Sequence, residues 1–178
     1  MPKIIEELRE KILRVAQHKL FAEGYGKVSL RAIAGECGIA VGTIYNYFKD
    51  KDTLIATIML EDWAVALREM DAGCAAANTA AAGFAAIYAA LERFAQRYRE
   101  VWSQFSQAGG SAGVVDSRHL MLRGQIAQRI GVLLARFDGD GALAPLLAET
   151  VLAAAVQPDI GPAQITALAD RLFSHTDT

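Results

Sequence analysis

A chain of 178 residues with 53% hydrophobic and 21% charged residues is long enough for one sizeable core, or for a small module fused to a larger one, and its composition excludes disorder. Two cysteines, Cys37 and Cys74, exclude a disulfide framework and paired metal-binding clusters; both lie in apolar surroundings and read as core thiols of a reducing compartment. Residues 3–11 are charged and lack the apolar run of a secretory signal, and the longest uncharged stretch, 72–91, is too rich in Ala and Gly for a membrane span, so the expected location is the cytoplasm.

The net charge of −2 hides an asymmetry. Residues 1–51 hold nine Lys/Arg against six acids, whereas residues 52–178 hold nine against fourteen. A basic head on an acidic body points to a polyanion as the partner of the head.

In chain order, Ile5, Leu8, Ile12, Val15, Ala16 and Leu20 step by three and four, which predicts an amphipathic helix over 2–23 that Gly24 and Gly26 end. Ser29 is the expected N-cap of a short second helix with Leu30, Ile33, Ala34 and Cys37 inward, and Gly38 stops it. A third helix is expected over 41–48, with Ile44 and Phe48 on one face. Asp50 then caps a long helix with the stripe Ile55, Met59, Trp63, Ala66 and Met70. Further helices fit 79–107, 117–137, 143–156 and 162–173, separated by "AGGSAG", "DGDG" and "QPDIGP". No segment alternates like a strand, and the fold class is all-α.

The second and third helices with the turn at Gly38 form a helix-turn-helix, locked by Ala34, Ile39, Ile44 and Phe48. With Ile44 and Phe48 inward, Thr43, Asn46 and Tyr47 project outward together with part of Tyr45. Such groups can hydrogen-bond bases or phosphates and pack on sugars, Gly42 lets backbone approach the duplex, and Lys51 brings a cation toward the phosphates. The competing reading of the same pattern is a helical corner with half-buried tyrosines that never meets DNA.

The run "FAEGYGKVSLRAIAGECGIAVGTIYNYFKDKDTLIATIM", residues 21–59, resembles the DNA-binding domain of the tetracycline-repressor (TetR) family of bacterial regulators. Phe21, Gly24, Tyr25, Ile33, Ala34, Gly38, Ile39, Gly42, Thr43, Tyr45, Tyr47, Phe48, Lys51 and Leu54 carry the likeness. It implies an N-terminal three-helix helix-turn-helix DNA-binding domain, 1–50, and a C-terminal helical effector-binding and dimerisation domain, 51–178. By the same resemblance Ala40, Val41, Gly42, Tyr45, Asn46, Tyr47 and Lys51 face DNA, with Ser29, Leu30 and Arg31 near phosphates. Ala40 stands where family members often carry a hydroxyl, so apolar contact with thymine methyls is expected to replace a hydrogen bond there.

Past residue 62 the likeness is no longer legible, and the family's habit of dimerising through its last two helices places Leu146, Leu147, Val151, Leu152, Ile165, Leu168 and Leu172 at the expected interface. The segment 142–157 is apolar around more than one face, which calls for more than one partner; burial inside a monomer is the alternative. An effector pocket is expected among Met59, Trp63, Phe84, Tyr88, Phe94, Tyr98, Trp102, Phe105 and Met121, with Asn78, Gln104, His119 or Gln125 as polar contacts, for a small apolar or aromatic ligand. The alternative is plain core and control by a protein partner.

Enzyme readings find no support: His18, His119 and His175 form no metal pair or nucleophile motif, and no phosphate loop occurs. A calcium loop at Asp138, Asp140 and Glu149 fails because Leu143 stands where the loop's glycine is required. The expected partners are a palindromic double-stranded DNA operator, a second copy of the chain and a small effector, with no cofactor, metal or membrane.

Overall fold

The computed structural model describes residues 5–107 and 112–173, apart from the side chains of 105–107 and 112–118. It consists of α1 (Glu6–Glu23), a 3-10 turn (Tyr25–Lys27), α2 (Leu30–Cys37), α3 (Val41–Tyr45), α4 (Lys51–Ala76), α5 (Ala80–Gln107), α6 (Ala112–Arg136), a second 3-10 turn (Gly141–Leu143), α7 (Ala144–Val156) and α8 (Pro162–Phe173). No strand occurs among the described residues, and no helix there is long and apolar enough to cross a membrane.

Helix ends follow local chemistry. Ser29 Oγ accepts from the Ala32 amide at 3.2 Å, Asp50 Oδ1 from Thr53 at 2.7 Å and Thr79 Oγ1 from Ala82 at 3.1 Å, each satisfying an amide that the first turn leaves without a helical partner. The Thr53 bond also holds the Asp50 carboxyl below its usual range. Three boundaries differ from the periodicity: α1 begins at Glu6, after an extended Ile5, rather than at residue 2. α3 stops at Tyr45 because the Asn46 and Tyr47 amides bond three residues back, to Thr43 and Ile44, tightening the last turn, while Phe48 still reaches Ile44 O at 3.0 Å. α6 begins at Ala112, within the glycine-containing stretch expected to precede it.

The chain divides into two compact units, Met1–Trp63 with Glu100–Gly109, and Ala64–Arg99 with Gly110–Thr178; α4 and α5 each run through both. In the first, α1 packs on α2 and α2 on α3, around Ile12, Ala16, Leu20, Ile33, Ala34, Ile44 and Leu54, none more than 1% exposed. In the second, α6 packs on α7, and Phe84, Ile87, Tyr88, Tyr98, Ile126, Ile130 and Val151 are among the most deeply buried. α4 and α5 approach closely there: a Cβ on Gly73 would lie 2.6 Å from the Ala86 Cβ, so any larger residue forces the helices apart.

Candidate nucleic-acid interface

The corner is built from three local devices. Ser29 starts α2. At its end Gly38 adopts the left-handed conformation (φ 69°, ψ 32°), and the Gly38 and Ile39 amides bond back to Gly35 O and Ala34 O at 3.1 and 3.0 Å, which closes the helix and turns the chain. Ala40 is extended, and α3 begins at Val41. Ile44 (0% exposed) and Phe48 (3%) anchor α3 to the core.

Anchoring that face decides the opposite one. Ala40, Val41, Gly42, Tyr45 and Asn46 are exposed, Tyr45 by 56%, and Thr43 and Tyr47 are half-buried. Ser29 and Arg31 are also exposed. Three of the expected contact residues are buried or engaged within the chain. Leu30 is buried at 6% exposure, so only its backbone can lie near a phosphate. The Tyr47 hydroxyl accepts a hydrogen bond from the Ile5 amide at 3.0 Å, tying the start of α1 to the turn that follows α3. Lys51 is half-buried: its Nζ stands 3.8 Å above the Tyr25 ring centroid and donates to Tyr25 O at 3.3 Å. The Tyr25 hydroxyl in turn donates to Asp52 Oδ1 at 2.6 Å; burial, and then that carboxylate, push its pKa up to about 12.

The positive charge of this unit is similarly redistributed. Arg9 pairs with Glu6 and Glu61, Arg14 with Glu10, and Lys19 with Glu23 and Glu36, while Lys11 Nζ reaches Cys37 O at 2.9 Å at the end of α2. Lys27, Arg31 and Lys49 are exposed and form no ion pair or side-chain hydrogen bond with described residues. Lys27 and Lys49, which bracket α2 and α3, escaped the sequence reading; their one signal was membership of the basic surplus.

Of the residues expected to line a pocket, Trp63, Phe84, Tyr88 and Tyr98 are packed core, at most 3% exposed. Phe84 meets Phe173 edge to face at 6.0 Å, Tyr98 meets Phe94 at 5.0 Å, and the Tyr88 hydroxyl donates to Ile160 O at 3.2 Å. Met59 and Trp102 are half-buried, Met121 is 41% exposed, and exposed His119 contacts both Glu149 carboxylate oxygens at 3.0 Å; the Phe105 side chain lies outside the described residues. The second unit instead holds an open cleft of about 490 Å³ lined by Asp71, Cys74, Ala75, Gln128, Arg129, Val132, Leu133 and Arg136, none of them anticipated. Its arginines are engaged: Arg129 Nη2 donates to Asp71 at 2.9 Å, and Arg136 Nη1 donates to Cys74 O and Ala75 O at 2.8 and 3.2 Å. Cys74 is thus half-buried at a cleft, while Cys37 is the core thiol expected.

The expected interface residues also divide. Leu147, Val151 and Ile165 are at most 5% exposed within the single chain, so they are its own core. Leu152 and Leu168 are half-buried, whereas Leu146 (64%), Leu172 (46%) and the neighbouring Val156 (54%) are outside. No group of three or more metal-ligating side chains occurs among the described residues.

A capped helix, a left-handed glycine turn and a second helix anchored by one face make a helix-turn-helix. Residues 12–58 match the family described as bacterial regulatory proteins, tetR family. An HTH-type transcriptional regulator of Staphylococcus aureus (strain USA300) is 43% identical over 63 residues, 35% of this chain and 34% of the relative, so the match spans about a third of that protein's length. A TetR/AcrR regulator from Thermobifida fusca shares the fold with a TM-score of 0.63 at 20% identity, over 97% of this chain and 99% of its own. A TetR-family regulator from Pectobacterium atrosepticum does so at 0.69 and 22%, over 94% and 92%. The family description and the names of these relatives are those of transcriptional regulators.

Proposed function

We propose that this chain is a dimeric, sequence-specific DNA-binding repressor, released from a palindromic operator when a small ligand binds its C-terminal domain. In this reading residues 1–50 read DNA and 51–178 dimerise and sense the effector. The observation that carries it is the exposed face of α3. Val41, Gly42, Tyr45 and Asn46 stand opposite the buried pair Ile44 and Phe48, with Lys27, Arg31 and Lys49 unpaired on the flanking segments. Hydrogen-bonding and apolar groups on a short anchored helix suit base edges, and the cations suit phosphates. Two recognition helices in a dimer then require half-sites about one helical turn, or a multiple of it, apart.

The test uses the duplex that the parent chain selects from a random-sequence pool. Tyr45→Ala and Asn46→Ala should each weaken binding to that duplex by about 1–3 kcal/mol while the thermal midpoint stays put. If both variants bind as the parent does, the recognition-helix assignment fails. For the effector, the supporting feature is the cleft, because its Asp71, Cys74 and Ala75 belong to α4, whose first turn carries Lys51. Control by a partner protein is favoured by a different feature, the burial of Trp63, Phe84, Tyr88 and Tyr98 at no more than 3% exposure. A thermal-shift screen separates the two: a hit that also raises the operator Kd supports ligand release, and silence across a broad library supports a protein partner.

A further inference from the structure

Lys51 and Asp52 open α4, and both turn back onto Tyr25, in the 3-10 turn that leads into the Ser29 cap of α2. The Tyr25 carbonyl accepts from the Val28 amide and from Lys51 Nζ, both at 3.3 Å. The same ammonium stands 3.8 Å above the Tyr25 ring, and the ring hydroxyl donates to Asp52 at 2.6 Å. One aromatic residue is thus held through its carbonyl, its face and its hydroxyl by two successive residues of another helix. Tyr25 is 7% exposed and Val28 3%, so the turn has little room to relax if those contacts go. An ammonium engaged on a ring face and a carbonyl has exchanged part of its hydration for contacts within the chain, and a phosphate would have to compete with them.

We infer that Lys51 is a positioning residue that clamps the Tyr25–Lys27 turn to the first turn of α4 and so fixes the start of α2, and that the phosphate charge of the corner comes instead from Lys27, Arg31 and Lys49. This rests on the reading of the corner as a DNA-binding surface. It also gives α4 a mechanical grip on the corner, since a displacement of its first turn must carry Tyr25, and with it Ser29, along.

The salt dependence of binding distinguishes a clamp from a phosphate contact, because each phosphate neutralised contributes about 0.9 to the slope of log K against log salt. In the full chain, with the duplex selected by the parent, Lys49→Met should lower that slope by about one. Lys51→Met should raise Kd roughly fivefold to tenfold and leave the slope where it was. Tyr25→Phe, which deletes one hydroxyl and no charge, should act in the same direction and likewise spare the slope. Without DNA, amide hydrogen exchange over residues 28–34 should speed up in Lys51→Met. A slope that falls by about one in Lys51→Met, with exchange unchanged, overturns the proposal. If the parent selects no duplex at all, the DNA-binding reading fails, and the exchange measurement alone decides the clamp: faster exchange supports it and unchanged exchange refutes it.

Discussion

α3 and α7 pose the same question, which faces of an apolar helix turn inward, and answer it with different ease. α3 has five residues, and the buried pair Ile44 and Phe48 leaves the rest little choice; the residues between them are exposed or half-buried. α7 has thirteen residues, with Leu and Ala around most of its circumference. Its own chain takes Leu147, Ala148, Val151, Ala154 and Ala155 and leaves Leu146, Ala153 and Val156 outside. A short helix with one anchor has its orientation written in its sequence. A long helix of uniform hydropathy has it decided by its neighbours.

The sharpest way to break that comparison is to charge the two sides of α7. Leu147→Glu places an unpaired carboxylate in the core and should cost about 5 kcal/mol or more, read as loss of cooperative urea unfolding. Leu146→Glu, one residue away, should leave monomer stability within about 0.5 kcal/mol and convert a sedimenting dimer into monomer, because its side chain is already outside. If both variants unfold equally, the division of the helix into two faces is wrong.

Next in size is the aromatic core. Phe84→Ala should destabilise the chain by about 3–5 kcal/mol in denaturant titration, the cost of a large cavity, whereas exposed Met121→Ala should fall within about 0.5. A loss at Phe84 below about 1 kcal/mol would mean that it lines a hollow after all.

The smallest effect sharpens the other side of the comparison, at Tyr25. Its phenol ionises near 10 in the unfolded chain and about 12 in the folded one. Below pH 10 both states are protonated and the stabilisation is complete; between pH 10 and 12 the unfolded chain loses its proton first, so stability falls as pH rises. The parent should therefore lose on the order of 2 kcal/mol across that window relative to Tyr25→Phe, as followed by unfolding at a series of pH values. Parallel stability curves for the two proteins would show that the hydroxyl is not buried against Asp52.

By itself the sequence determined the class of fold, the positions of most helix ends and the outward face of the corner. These depend on interactions within a few residues: Ser29 with Ala32, Asp50 with Thr53, Gly38 with Ala34, Ile44 with Phe48. Capping groups, left-handed glycines and four-residue spacing carry their physics locally, so they are legible one stretch at a time. Only the tertiary structure decided that Lys51 reaches the carbonyl and ring of Tyr25, 26 residues earlier, that Leu30 is core, and that among the described residues of the basic head Lys27, Arg31 and Lys49 form no ion pair. It likewise decided that Trp63, Phe84, Tyr88 and Tyr98 fill space and that the cleft opens beside Arg129 and Arg136. A charge or a ring carries no mark in its own stretch of chain of the partner that will neutralise or bury it; that partner arrives from a distant segment and is fixed by packing.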